Sequence, residues 1–171
     1  AKRRAEVLPE SPRYAQFLRS MLKPAEFAEF AGPFLARRPV LMPWHLAHQD
    51  AAMTTEPAAR EALEGEYAAA LRAEPRNPNL QYLASRVARD PAASEQLLRA
   101  AALAQPPMRE ALAGVARIEL GTARYAEAAQ HAKAAAAMEK NEDRYEPNYL
   151  ARQALEGAGN FHLPASSLWL L

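Results

Sequence analysis

The chain has 171 residues, half of them hydrophobic, with 21 Lys and Arg against 20 Asp and Glu and no cysteine. Disulfides and thiolate metal sites are therefore excluded, and no apolar run approaches the roughly 20 residues that span a bilayer. The net charge of +1 is no footprint for nucleic acid.

That charge is unevenly placed. Residues 1–40 hold eight Lys/Arg against four Glu, a balance of +4, and residues 41–171 hold thirteen against sixteen, a balance of −3. Lys2-Arg3-Arg4 makes most of the asymmetry and reads as a solvated start. Mean hydropathy is only −0.35 because much of the apolar share is alanine, the best helix former, so the core is expected to rest on close helix contact more than on large side chains. The fourteen prolines act as punctuation, since one inside a helix costs roughly 3 kcal/mol. No signal-peptide pattern is found. The chain is expected to be soluble with its compartment open, and Ala1 at the start suits a processed chain or a segment of something larger.

Ser11-Pro12 predicts a helix to Met21, with Tyr14, Phe17, Leu18 and Met21 on one face. A second helix from Pro24 carries Phe27, Phe30 and Phe34, an aromatic stripe at core spacing, with Pro33 expected to kink or split it. A third runs from Pro43 to Met53 and a fourth from Glu56-Pro57 to Glu74. Asn77-Pro78 opens a helix to Ala88, Asp90-Pro91 one to Ala104, and Pro107 one to Leu120. After the turn Gly121-Thr122-Ala123-Arg124 another helix ends near Glu139, and the last spans Pro147 to Glu156. Strand signals are missing, and connections this short make neighbours antiparallel hairpins.

Two of these helices share a pattern and a terminator, Glu61-Ala62-Leu63 through Tyr67, Ala70 and Leu71 to Pro75, then Glu95 through Leu98, Ala101 and Leu103 to Pro106. A helical pattern recurring at this period means stacked units. Small residues fall at Ala51, Ser85 and Ala116 on the first helices and at Ala70, Ala101 and Ala135 on the second. The phrase Leu120-Gly121 through Arg124-Tyr125-Ala126-Glu127-Ala128 is repeated in part by Gly159-Asn160-Phe161. On these residues the chain resembles the tetratricopeptide repeat (TPR) family. The resemblance covers residues 44–161, with departures: 31 residues separate Pro75 from Pro106 instead of the family's 34, Lys140 replaces the third proline, and Pro164 interrupts the helix expected after Phe161. It implies an all-α fold, a right-handed superhelix of antiparallel helix pairs, with residues 1–43 as an N-terminal helical cap and 162–171 as an apolar capping tail.

What the resemblance implies for function is a module that binds a partner protein or peptide in the concave groove lined by first helices. The groove would present His48, Tyr82, Arg86, Arg89, Arg117, Leu120, Tyr149 and Gln153. Arg86, Arg89 and Arg117 around Tyr82 suit a carboxylate, since a guanidinium can hold one by two parallel hydrogen bonds, so an acidic segment is the expected ligand. The plainer alternative pairs these arginines with Glu110, Glu119 or Asp90. The lysine and asparagine set with which some family members clamp a terminal carboxylate is not recognisable.

Enzymatic constellations are weak, and no catalytic residue, metal or cofactor is expected. His45 and His48, three apart with Asp50 or Glu56 nearby, could share a helical face toward a metal, but His131 and His162 lie far off. Trp44 reads as a core anchor with the histidines at the surface or bonding a neighbouring helix end. Glu139, Glu142, Asp143 and Glu146 lack the glycine turn of a calcium loop. Leu163, Leu168, Trp169, Leu170 and Leu171 form an apolar end, which would cap the last repeat, mediate self-association, or pack on another domain. In that last case the chain is a structural or regulatory segment of a larger protein.

Overall fold

The computed structural model describes residues 11–55, 58–138 and 145–158, and among them the chain forms nine α-helices and no strand. In order these are α1 (Pro12–Met21), α2 (Pro24–Leu35), α3 (Met42–Thr55), α4 (Ala59–Ala73), α5 (Pro78–Val87), α6 (Pro91–Ala102), α7 (Arg109–Gly121), α8 (Tyr125–Ala137) and α9 (Tyr145–Gly157).

Proline sets the helix starts. α1, α2, α5 and α6 each open on one, where the missing N–H would have had no partner and the fixed φ suits the helix. The preceding residue is pushed to extended backbone, with ψ of 113° at Ser11, 152° at Lys23, 110° at Asn77 and 119° at Asp90. Two of those residues cap with their side chains. Asn77 Oδ1 accepts from the Asn79 and Leu80 amides at 3.0 and 3.4 Å, and Asp90 accepts from Ala92 and Ala93 at 3.1 and 3.2 Å, each cap contributing about 1 kcal/mol. Pro33 neither splits α2 nor ends it. It sits in the last turn, so only one hydrogen bond is lost. α7 begins at Arg109, two residues later than the proline rule predicts, because Pro106-Pro107 stay outside it.

Each helix packs on the next in sequence, and further principal contacts join α1 to α3, α3 to α5 and α7 to α9. The core is graded. At the N-terminal end it is aromatic: Trp44 and Phe27 are fully buried, and Trp44 stacks on Phe34 with ring centroids 4.2 Å apart. Val40, Leu63, Tyr67, Leu80, Leu83 and Val87 form the middle. From α6 onward Ala101, Ala111, Ala116, Ala132, Ala135 and Ala154 are buried without any accessible surface, and backbones approach closely. A Cβ on Gly114 would lie 2.9 Å from Leu98 Cδ2, so glycine is what lets α7 rest on α6.

α3 belongs to two units. Trp44, Ala47 and Ala51 face α1 and α2, while Leu46 and Met53 pack toward α4 and α5. The stripe predicted on α1 is corrected: its inward residues are Ala15 and Leu18, with Tyr14 half-buried, whereas Phe17 and Met21 are 54% and 67% exposed. The basic start, the acidic cluster at 139–146, Gly159-Asn160-Phe161 and the apolar tail lie outside the described side chains.

Candidate functional site

The residues proposed for the groove lie on four helices. His48 sits on α3, Tyr82 and Arg86 on α5 with Arg89 just beyond it, Arg117 and Leu120 on α7, and Tyr149 and Gln153 on α9.

Arg86 and Arg89 hold carboxylates of the chain. Arg86 Nη2 donates to Asp50 Oδ1 at 2.7 Å, and the other oxygen of Asp50 is 4.0 Å from Arg19, so one α3 carboxylate joins α1 and α5. Arg89 donates from its backbone N–H to Glu64 Oε1 at 3.1 Å and from Nε to Oε2 at 2.7 Å, with Glu61 at 3.5 Å. These hydrogen bonds, the backbone one foremost, hold the Glu64 carboxyl below its usual range. The acids held by Arg86 and Arg89 are not those named from the sequence. Asp90 caps α6, Glu110 pairs with Arg109 at 2.7 Å, and Glu119 takes Arg99 at 3.0 Å.

Tyr82 and Leu120 are half-buried and pack against the core around Leu98, Ala116 and Leu150. His48 is half-buried too, and desolvation lowers its pKa although Glu66 acts the other way. Arg117, Tyr149 and Gln153 are exposed. Tyr149 and Gln153 stand one turn apart on α9, the Gln153 Nε2 donating to the Tyr149 hydroxyl at 3.0 Å. α3 with α5, and α7 with α9, are each in contact, so the groove residues fall on helices that adjoin in those pairs.

Two buried polar nodes escaped the sequence reading. In the first, His45 Nδ1 lies 2.9 Å from the Tyr67 hydroxyl, and Gln49 Nε2 donates to the Leu83 carbonyl at 2.9 Å. Burial lowers the His45 pKa to about 4, with Arg38 and His48 acting in the same direction. Burial also raises that of Tyr67. His45 is thus an interior group, not a surface ligand. Its spacing from Gln49, one helical turn, was the only available signal. In the second, the Glu119 carboxylate is 1% exposed and receives Arg99 Nη1 at 3.0 Å, with His131 Nδ1 at 2.7 Å and Arg124 Nη1 at 3.9 Å. It joins α6, α7, α8 and the turn between the last two. No local pattern marks a glutamate whose partners stand twelve and twenty residues away on other helices.

Among the described residues no group of three or more His, Cys, Asp or Glu converges as metal ligands, and no helix is long and apolar enough to cross a membrane. No family model matches the chain, and no curated protein or solved structure matches it.

Proposed function

We propose that this chain is a protein-protein interaction module of TPR-like architecture, a right-handed α-solenoid that holds a partner segment against the helices α3, α5, α7 and α9. The observation that carries the reading is the order of helix contacts. Packing runs along the sequence, with alternate helices meeting in α1 with α3, α3 with α5 and α7 with α9, a pattern that hairpins give when they stack on their neighbours. Burial of the small residues Ala51, Ser85 and Ala116 on the first helices supports it.

Within that surface Arg117, Tyr149 and Gln153 are exposed and so accessible to a ligand. A carboxylate reaching Arg86 or Arg89 has to compete with Asp50 or Glu64, so those two arginines act first as struts. An acidic, extended peptide with an apolar or aromatic anchor fits a surface that exposes an arginine on α7 and a tyrosine on the adjoining α9. The test is a peptide-array screen with the full chain, repeated with Arg117→Glu/Tyr149→Ala. Acidic peptides retained by wild type and weakened about tenfold or more in the variant, at an unchanged melting temperature, are expected. Equal recovery by both proteins removes the site from this surface.

A further inference from the structure

On the outer side of α2, away from the proposed groove residues, a cavity of about 520 Å³ is lined by Glu26, Glu29, Phe30, Pro33, Phe34 and Arg37, with Leu22 at its edge. The face is ordered by charge. Glu26 and Glu29 stand toward the N-terminal half, Arg37 stands just past the C-terminal end, and Phe30 and Pro33 lie between. Among the described residues Glu29 forms no ion pair, and Arg37 meets the Phe34 ring, its guanidinium 5.4 Å from the centroid. At the centre, Gly32 and Pro33 are exposed and a Cβ added at Gly32 would meet nothing within 4 Å, so another helix can approach the backbone closely. α1 alongside leaves Phe17 and Met21 exposed.

We propose that this face is a two-fold contact between two copies of the chain. A two-fold contact is self-complementary, residue i meeting j and j meeting i. Rotate one α2 onto another, antiparallel, about an axis near Pro33. Position 29, about 6 Å from the axis along a helix rising 1.5 Å per residue, then lies across from the stretch that leaves the end of the partner's α2, where Arg37 stands. Each Glu29 meets the partner's Arg37, the Phe30 side chains flank the axis, and the antiparallel helix dipoles agree with that polarity. A foreign helix would need both an acid and a cation at this spacing in reverse order; a second copy of the chain carries them by construction. Contact along one short helix is expected to bury less than the roughly 800 Å² per partner of a stable interface, so the dimer is a weak one, filled at high protein concentration. This inference is independent of the groove.

The test is sedimentation of the full chain from about 10 µM to about 1 mM at low ionic strength, where exposed pairs are least screened. The mass average should climb from 18.8 kDa toward twice that value. Glu29→Arg and Arg37→Glu, each placing like charges across the axis, should weaken the dimer about tenfold. The double variant Glu29→Arg/Arg37→Glu restores both pairs in reverse and should return association to within about threefold of wild type. Circular dichroism checks that all variants fold. A chain that stays monomeric throughout, a dimer indifferent to both single variants, or a double variant as weak as the singles would each overturn the proposal.

Discussion

His45 shows how far a side chain's role depends on what surrounds it. On the sequence it stands beside Trp44 and one turn from His48. In the fold it is buried against Tyr67, with a pKa near 4. The unfolded chain binds a proton at this histidine near pH 6.5 while the folded chain does not until about pH 4, so stability falls as pH drops through that window and is unaffected by this group above it. A depression of this size corresponds to about 3 kcal/mol once pH has fallen to 4. Denaturant melts of wild type should therefore lose up to about 1.4 kcal/mol per pH unit in the window, and His45→Gln should flatten the profile. Coincident profiles would show that neutral His45 is not what acid attacks. The carboxyls of Glu64 and Glu74, held low by hydrogen bonds, lose their contribution only below the usual carboxylate range of about 4.5. The upper part of the window thus belongs to the histidines, with His48 adding in the same direction.

At the scale of elements, helix starts were legible because proline and its preceding residue act locally. The turn between α7 and α8 was located but not its geometry. The glycine there, Gly121, closes α7, and Ala123 takes the left-handed conformation at φ 57°. An alanine so placed is strained, whereas Gly121 spends its freedom in a helical turn with open space around it. Exchanging the two, Gly121→Ala with Ala123→Gly, should stabilise the chain by about 1 kcal/mol. Thermal unfolding should then shift upward by roughly 2–4 °C; a lower melting temperature would mean that the turn needs Ala123 for contacts beyond its backbone. The stripe on α1 failed for a related reason. Tyr14, Phe17, Leu18 and Met21 share a helical face by spacing, but α2 and α3 approach from the side of Ala15 and Leu18, and periodicity cannot tell which side of a helix neighbours will occupy.

For the whole molecule, helix contacts run mainly along the sequence, and Glu119 ties three consecutive helices together. Its buried carboxylate collects Arg99 from α6 and His131 from α8. Glu119→Ala leaves His131 without its carboxylate while Arg99 keeps Glu95 at 2.8 Å, both partners being about 30% exposed, and is expected to cost about 2 kcal/mol, below the range for fully buried pairs because solvent screens the partners and one of them stays paired. Hydrogen exchange should locate the loss in α6–α8 and leave α1–α3, built on Trp44 and the phenylalanines, protected as before. Uniform acceleration along the chain would mean that the helices unfold as one cooperative unit.

The sequence by itself determined that the chain is helical, where most helices begin, and that Phe27, Phe34 and Trp44 are core, because caps, proline and apolar size act within a few residues. Only the tertiary structure decided which charges pair within the chain. Arg86 and Arg89 find Asp50 and Glu64, 36 and 25 residues away, and Glu119 is enclosed by helices on either side. Charge pairing depends on distances of a few ångströms between side chains remote in sequence, and no spacing rule along a single helix can supply them.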